Sequence, residues 1–163
     1  MLFRSLGDVG HHDVSDHRFE QRGLLHVPVV WNGSTVHAVV VHLGLVHASR
    51  LRQVQRLVDF IAREVPPGDM LVVAGDFNDW GERLDAPMQA LGLHRAVAPQ
   101  SEGGRVPGVA ATFPSIAPVF ALDRFYLRGL ACSSTMVPRG MAWARMSDHL
   151  PLIAELVPAL DPP

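Results

Sequence analysis

The sequence predicts an α/β fold in a single domain of 163 residues. Two observations predict this class. Between about residues 36 and 75 the chain reads as a strand, an amphipathic helix and a second strand, which is the order of a βαβ unit. In addition, several apolar runs that read as strands begin or end at ionisable or amide side chains. Because α/β folds build their sites at one edge of a sheet, we expect these side chains to converge there.

The first strand and the helix follow from the pattern of apolar residues. The β-branched run VHAVVVHLGL, residues 36–45, is typical of a strand that is buried on both faces. In residues 48–65, apolar side chains such as Leu51, Val54 and Ile61 recur every three or four positions, and most arginines fall elsewhere. This spacing predicts an amphipathic helix with one buried face. The Pro-Pro-Gly sequence that follows ends the helix.

The rest of the chain adds shorter elements and one long loop. The loop, residues 98–120, is rich in Pro, Gly, Ser and Ala, and a loop of this length in a small domain is usually functional. We expect Thr112, Phe113 and Pro114 of this loop to border a substrate. The remaining predictions are a strand at 70–75, a helix at 84–92, strands at 120–127 and 152–156, and flexible ends at 1–15 and 158–163.

Composition argues against several classes of function. A net charge of −2 gives no broad basic field for nonspecific binding to duplex nucleic acid. Cys132 is the single cysteine, which excludes an internal disulfide and a cysteine-based zinc site. No apolar run reaches the roughly 18–20 residues of a membrane span, and the first residues do not read as a signal peptide. The sequence therefore predicts a globular cytoplasmic protein.

Polar residues stand at the ends of four strand-associated segments. The set consists of His42, of Asp76 with Asn78, of Asp123, and of Asp148 with His149. Such residues suit the hydrolysis of a phosphate ester. One carboxylate can bind Mg²⁺, another can orient a water molecule, and an imidazole or amide can donate to the phosphoryl oxygens.

Each of these residues also has a purely structural interpretation. Asp76 and Asn78 fit an Asx turn after a strand, and Asp148 with Ser147 fits a capped turn. His42 fits a hydrogen-bonded core histidine, and Asp123 fits an ion pair with its neighbour Arg124. All four structural interpretations would have to be correct at once, and this requirement is what makes them less favourable than a shared functional site.

The segments VHL, AGDFND and LDRFYL followed by MSDHLPL resemble motifs of the endonuclease/exonuclease/phosphatase superfamily, also called DNase I-like. The resemblance runs from about Asp16 to Leu156. It implies a four-layer α/β/β/α sandwich of two mixed sheets between helices. It also implies a divalent-metal-dependent phosphoesterase that uses Mg²⁺ or Mn²⁺ and hydrolyses a phosphodiester or a phosphomonoester in a nucleic acid, a phospholipid headgroup or a small molecule.

The resemblance implies a role for each motif residue. Asp76 would orient or activate the water, and Asn78 would help to place the water and the phosphate. His42 would contact the phosphate, and His149 would act as an acid or base or as a phosphate contact.

Two further aspartates complete the set that the resemblance implies. Asp123 would orient the His149 ring. Asp148 would lie at or near the metal.

Members of that superfamily begin with a strand that carries an Asn and continue to a strand that ends in a metal-binding Glu. Neither is found here, because Glu20 in RFEQRGLL precedes a strand and reads as a surface residue. We therefore expect an incomplete domain that lacks the N-terminal strands and helix of the superfamily. The alternative function is an impaired fragment that acts at most as a binding module. Exposed sheet edges would favour self-association.

The N-terminal segment GHHDVSDHRFE supports a second alternative, a zinc-binding module. Imidazole and carboxylate groups are ordinary zinc ligands, and the segment offers His11, His12, Asp13, Asp16 and His17. Clustered histidines near a terminus are more often solvated. Arg22 is a candidate to anchor this segment or to form a surface ion pair.

Overall fold

The computed structural model describes residues 5–81, 83–97 and 110–159. Two sheets and three helices are formed by these residues. In chain order the elements are β1 (Ser5–Leu6), β2 (Gly10–Asp13), β3 (Gly23–Trp31), β4 (Ser34–His42), α1 (His47–Glu64), β5 (Met70–Asp76), α2 (Asp85–Gln89), β6 (His94–Arg95), β7 (Asp123–Arg128), β8 (Leu130–Met136), α3 (Met141–Ala144) and β9 (Ile153–Pro158).

The main sheet has seven strands, and its centre contains the predicted βαβ unit. The strand order is β1-β3-β4-β5-β7-β6, and β2 also pairs with β3. Strands β4 and β5, which α1 connects, are parallel neighbours, whereas β7 is antiparallel to β5. Strands β8 and β9 form a separate antiparallel pair. The mixed α/β class predicted from the sequence is confirmed.

Helix α1 covers one face of the main sheet. Its Val54, Leu57 and Ile61 are at most 3% exposed and share one core with Val39 and Val41 of β4. Burial of each such side chain contributes about 1.5–3 kcal/mol, so this interface is a major source of stability. The helix matches the predicted amphipathic segment to within one residue at each end and stops before the two prolines.

The other face of the main sheet lies opposite β8 and β9. Val36 and Ala38, which alternate with the core residues of β4, line a cavity of about 630 Å³ together with residues of β8 and β9. The layers are therefore a helix, a seven-stranded sheet and a two-stranded sheet. The fourth layer of the predicted sandwich stays a prediction.

Two predicted elements end earlier than the sequence indicated, because hydrogen bonds turn the chain. The strand predicted at 36–45 ends at His42, because the N–H of Gly44 donates to Oε1 of Gln53 in α1 over 2.8 Å and the chain leaves the sheet. The helix predicted at 84–92 is only five residues long, since the N–H groups of Leu91 and Leu93 both donate to the carbonyl of Met88. Apolar periodicity cannot show these terminating bonds.

Other boundaries differ at the strands near the C-terminal end. The strand predicted at 120–127 begins only at Asp123, because Phe120 instead forms a single bridge to Phe113. The strand predicted at 152–156 is β9, which starts one residue later and ends two residues later, and β8 was not anticipated. Two short strands, β1 and β2, lie where the sequence indicated flexible chain. Residues 98–109 of the predicted loop and residues 160–163 lie outside the described residues.

Gly75 allows strands β4 and β5 to approach each other immediately before Asp76. Its φ of +135° is a backbone conformation that side chains disfavour. A Cβ atom at this position would lie 1.9 Å from the carbonyl oxygen of Val41. The glycine is thus required for the register that places Asp76 beside His42.

Among residues 5–81, 83–97 and 110–159, no helix is long and apolar enough to cross a bilayer.

Candidate active site

Three of the predicted site residues form a row across neighbouring strands of the main sheet. In the parallel β4–β5 pair, His42 is the register partner of Asp76. In the antiparallel β5–β7 pair, Asp76 is also the partner of Asp123. The side chains lie at the carboxyl end of β5, which is the edge of the sheet expected from the sequence.

The row is completed by His149, which follows the short helix α3. Its Nδ1 atom lies 2.7 Å from Oδ2 of Asp123, and its Nε2 atom lies 3.9 Å from Oδ2 of Asp76. On the other side, Nε2 of His42 lies 3.5 Å from the same Asp76 oxygen. The Asp76 carboxylate therefore lies between two imidazole rings.

The bond to Asp123 fixes how the His149 ring is presented. Because a carboxylate oxygen is the acceptor, Nδ1–H of His149 donates the hydrogen bond to Asp123. Nε2 is then left facing the Asp76 carboxylate. This arrangement resembles an acid–base pair in which one carboxylate holds an imidazole against a reacting centre.

Burial and neighbouring charges alter the proton affinity of both groups. The pKa of Asp76 is raised, chiefly by burial and further by the charge of Asp123, although the Asn78 N–H and the two imidazoles oppose the rise. Burial acts to lower the pKa of His149, but the hydrogen bond and charge of Asp123 and the charge of Asp76 outweigh it, so that this pKa is raised. Both shifts move these groups toward the pH range in which acid–base catalysis is efficient.

His42 does not fit the alternative of a core histidine. Its side chain is 60% exposed, whereas the carboxylate of Asp76 beside it is only 15% exposed. An exposed imidazole next to a mostly buried carboxylate is accessible to a ligand from solvent.

Asn78 forms the Asx turn that the sequence allowed, and it also connects two strands. Its backbone N–H donates to Oδ1 of Asp76 over 2.8 Å, and its φ is +48°. The side-chain Nδ2 donates to the carbonyl of Leu43 at the end of β4, also over 2.8 Å. Asn78 is 4% exposed, so the structure gives it a positioning contact beside Asp76. Its role toward a water or a phosphate stays a prediction.

Thr112 makes a contact that the sequence did not reveal. Its hydroxyl donates to Oδ2 of Asp123 over 2.6 Å, which is the same oxygen that accepts the hydrogen bond from His149. The side chain is fully buried, and the Phe113 ring next to it lies 4.9 Å from the His149 ring. The sequence placed these loop residues beside a substrate but gave no sign that Thr112 holds Asp123.

We expect Thr112→Val to lower kcat about 10- to 100-fold with little change in KM, because a hydrogen bond to a charged group contributes about 1.5–3 kcal/mol. Thr112→Ser keeps the hydroxyl and should restore most of the rate. Steady-state kinetics of the two variants check this. An unchanged kcat in Thr112→Val would show that Asp123 needs no such support.

Arg124 does not pair with Asp123 as the structural alternative proposed. Its Nη1 atom instead donates to Oδ2 of Asp79 over 2.9 Å, and both side chains are 1% exposed. Burial acts to raise the pKa of Asp79, but the Leu84 N–H and the Arg124 guanidinium lower it overall. This buried pair supports the loop that leaves β5 immediately after Asp76 and Asn78.

Asp148 lies next to His149 but points to a more open environment. The residue is exposed, and its Oδ1 accepts a 3.3 Å hydrogen bond from Ser147. Its backbone carbonyl accepts from the N–H of Ser115, which fixes the loop. The N–H of His149 donates to the Ser147 hydroxyl over 3.2 Å, so the capped turn predicted as an alternative is present, and it leaves the Asp148 carboxylate open to solvent.

The carboxylates of the candidate site fit a metal ion that needs few protein ligands. In the part of the chain that the structure describes, no group of three or more His, Cys, Asp or Glu side chains is placed to hold one. Mg²⁺ needs fewer protein ligands than this, since it commonly keeps several waters and binds through one or two carboxylates and the phosphates of a substrate. The exposed carboxylate of Asp148 fits that mode.

The residues of the proposed zinc module are dispersed. Asp16 binds Arg52 and Ser49 of α1, and the ring of His12 packs against Phe60 at 4.5 Å. Glu20 pairs with Arg22 over 2.8 Å, and the two side chains are only 22% and 18% exposed, so Glu20 is not the surface residue that the sequence indicated. Arg22 also anchors the segment, because its backbone N–H donates to the Ser15 hydroxyl over 2.8 Å. These contacts give the polar groups of the segment structural partners.

A cavity of about 430 Å³ adjoins the row. Its lining includes Asp123 and His149 from the site and Trp143 and Met146 from α3 and the residues after it. The site therefore lies between the edge of the main sheet and a mostly apolar cavity.

Comparison with known proteins supports the same family as the sequence motifs. A model of the endonuclease/exonuclease/phosphatase family matches residues 3–149. The chain is similar to the uncharacterized protein YbhP of Escherichia coli strain K12, with 34% identity over 146 residues, which are 88% of this chain and 56% of YbhP. It thus spans little more than half the length of the curated relatives that it matches.

Solved structures share the fold at low sequence identity. A Danio rerio TDP2 structure with a single-strand DNA product aligns over 93% of this chain and 68% of that chain, with a TM-score of 0.65 and 16% identity. A mannosyl-6-phosphatase of Bacteroides thetaiotaomicron aligns over 94% of this chain and 67% of that chain, with a TM-score of 0.64 and 14% identity. These similarities show the fold. Because the family model matches most of the sequence, the chain belongs to the endonuclease/exonuclease/phosphatase family.

Proposed function

We propose that this chain is a divalent-metal-dependent phosphoesterase that hydrolyses a phosphodiester or a phosphomonoester. The observation that carries the proposal is the Asp76 carboxylate between His42 and the Asp123-bound ring of His149. Family membership supports a hydrolase of phosphate esters. A carboxylate and an imidazole at this spacing can handle the proton of a water molecule while a second imidazole contacts the phosphate.

The proposed roles follow from the positions of the side chains. Asp76 orients or activates the attacking water, and its raised pKa makes it a better proton acceptor than an exposed aspartate. His42, which is exposed, contacts a phosphoryl oxygen. His149 acts as an acid or base or contacts the phosphate, and Asp123 keeps its ring oriented. Asn78 holds Asp76 in place and helps to position the water and the phosphate.

We propose Asp148 as the protein ligand of the metal. Its carboxylate is exposed beside His149 and can bind a hydrated Mg²⁺ or Mn²⁺. When bound, the metal would neutralise charge on the phosphate oxygens. The residues of the chain would still position the water and the leaving group.

Several classes of phosphate ester are candidate substrates. The structural neighbours include a protein with bound DNA product and a sugar phosphatase. We therefore propose a substrate that presents a phosphate ester from a nucleic acid, a phospholipid headgroup or a small molecule.

Removal of divalent metal is expected to abolish turnover. The purified chain is assayed with bis(p-nitrophenyl) phosphate as the diester and p-nitrophenyl phosphate as the monoester, in Mg²⁺ or Mn²⁺ and then with excess EDTA. Restoring the metal should restore the rate, and Asp148→Asn should need a higher metal concentration to reach half of its maximal rate.

Activity that persists in EDTA would contradict the metal dependence. Absence of turnover from folded protein with both esters would favour the alternative of a non-catalytic binding module. Glu155→Gln provides a control for Asp148→Asn, because Glu155 lies on β9 and is bonded to Ser134.

We also propose that copies of the chain can associate through sheet edges. The two-stranded β8–β9 sheet has no further strand paired to it among the described residues, and such edges favour pairing. Sedimentation velocity over a range of concentrations tests this, and a single monomer species throughout would contradict it.

A further inference from the structure

Large apolar side chains are exposed around the candidate site. The highest exposures are 83% for Ile116 and 76% for Met146. Monomeric proteins seldom expose such side chains in a cluster unless the surface binds something. We call the whole set the apolar rim, and it consists of Trp80, Ile116, Val119, Phe120, Met141, Trp143 and Met146.

The rim is one surface because its loops are bonded to each other. The N–H of Ser115 donates to the carbonyl of Asp148, and the hydroxyl of Ser115 donates to the carbonyl of Ala144. These bonds join the loop that carries Ile116 to the segment that carries Met146.

Trp80 extends the rim on the other side of the site. Its ring contacts those of Phe113 and Phe120 at 5.6 and 4.8 Å. Phe113 in turn contacts the ring of His149. The apolar rim therefore adjoins the candidate site at Trp143 and Met146, which line the cavity beside His149, and at Trp80 through Phe113.

The charge of these loops is positive on balance. Residues 110–122 contain no charged side chain, and residues 137–148 contain two arginines and one acidic residue, Asp148. Arg139 and Arg145 are both exposed and flank the exposed Met141 and Trp143. The whole chain carries a net charge of −2, so this positive charge is a local feature.

We propose that the apolar rim docks on the surface of an anionic phospholipid bilayer. Tryptophan, methionine and isoleucine side chains on short loops can enter the headgroup region, and flanking arginines bind lipid phosphates. Both features are present here on the same two bonded loops. Docking of this kind needs no membrane-spanning helix and does not depend on turnover at the candidate site.

A second copy of the chain is a poorer occupant of this surface. In a two-fold dimer the same surface patch of both copies forms the interface, so the net charge of the patch meets itself. Residues 137–148 carry two arginines against one aspartate, so two surfaces of the same net positive charge would be brought together. An anionic lipid surface supplies the missing negative charge.

Co-sedimentation with large unilamellar vesicles tests the proposal. Vesicles of equal phosphatidylglycerol and phosphatidylcholine are compared with vesicles of phosphatidylcholine alone, at low and high salt. We expect binding to the anionic vesicles that weakens with salt. The double variant Ile116→Ser with Met146→Ser should bind about tenfold more weakly or worse, because two exposed apolar side chains no longer enter the membrane. Arg145→Gln should weaken binding about fivefold.

Matched controls lie at the other end of the main sheet. Leu6 is 68% exposed and pairs with Val29, so Leu6→Ser removes a comparable apolar side chain without touching the rim. Arg63 is near the C-terminal end of α1, so Arg63→Gln removes the same charge as Arg145→Gln. Both controls should bind like the unaltered chain.

Several results would overturn the proposal. These are no binding to anionic vesicles, full binding by the double variant, or an equal loss in the double variant and in Leu6→Ser. Sedimentation velocity without lipid can give a further result that would overturn the proposal. A dimer that the double variant abolishes would assign the rim to a second copy of the chain.

Discussion

Replacement of Asp76 by Asn is expected to lower kcat/KM by about 10²–10⁴-fold, the usual cost of losing a group that handles a proton. The asparagine has nearly the same shape, and its side-chain oxygen can still accept the hydrogen bond from the Asn78 N–H. What is lost is the negative charge between His42 and His149. The substitution therefore removes the negative charge of the side chain while it keeps the shape of the side chain.

The fold should tolerate this change. Burial raises the pKa of Asp76, which means that the folded protein disfavours the charged carboxylate. A neutral amide at this position removes the free-energy cost of burying a charged carboxylate. The urea midpoint is therefore expected to stay the same or to rise. Loss of activity together with unchanged or higher stability would distinguish a functional residue from a structural one.

Asp69→Asn provides the matched control. Asp69 precedes the same strand at the opposite end from the site, and its Oδ2 lies 3.0 Å from Nε2 of His37. It thus has the same side chain and a similar partner without a place in the row. We expect Asp69→Asn to keep a rate near that of the unaltered chain. If Asp76→Asn kept more than a tenth of its kcat/KM, the proposed role of Asp76 would be wrong.

The second large effect concerns stability. Asp79→Ala is expected to lower the free energy of unfolding by about 3–5 kcal/mol, because it removes the closest charged partner of the buried Arg124 guanidinium and leaves the more exposed Asp85 at 3.7 Å. With an m-value of about 1–3 kcal/mol per molar, the urea midpoint should fall by more than about 1 M. Urea unfolding followed by circular dichroism measures this.

The effect of pH on the Asp79 pair has a definite sign. The pKa of Asp79 is lowered in the folded protein, so the stabilisation is present above the ordinary aspartate pKa of about 3.9 and is lost as the pH falls below it. The difference in stability between the unaltered chain and Asp79→Ala should therefore shrink in acid.

Asp59→Ala is the control for this change. Asp59 is exposed on α1, where it accepts a hydrogen bond from Gln55, and its loss should cost no more than about 0.5 kcal/mol. Asp79→Leu combined with Arg124→Met should recover part of the stability, since an apolar pair leaves no buried charge. A loss below about 1 kcal/mol in Asp79→Ala would contradict the importance of the pair.

Local patterns in the sequence were sufficient to predict that the side chains of the row lie close together, whereas their roles stay predictions. Apolar runs that end in polar residues identify strand ends, and parallel neighbours align those ends at one edge of a sheet. The register pair of Asp76 with His42 is of this kind. Asp123 reaches the same edge because it begins β7, which is antiparallel to β5. The amphipathic helix was predictable for the same reason, since its core-facing residues recur at helical spacing.

Features that depend on contacts between distant segments could not be predicted. Arg124 and Asp79 are 45 positions apart, and nothing near Arg124 in the sequence favours that partner over its neighbour Asp123. Thr112 lies in a loop with no periodic pattern, so its bond to Asp123 becomes visible only when the loop is placed. Strand β8 contains small and polar residues in place of a β-branched run, which hides it from pattern analysis.

The most direct test of the central claim is to follow oxygen from water into the product. The chain is incubated with bis(p-nitrophenyl) phosphate and Mg²⁺ in ¹⁸O-labelled water, and the products are analysed by mass spectrometry. Attack of water on phosphorus releases p-nitrophenol and places one ¹⁸O atom in p-nitrophenyl phosphate. The account predicts this labelling from the unaltered chain and from Asp69→Asn, and almost none from Asp76→Asn. No product from folded protein, or label found in p-nitrophenol in place of the phosphate, would contradict it.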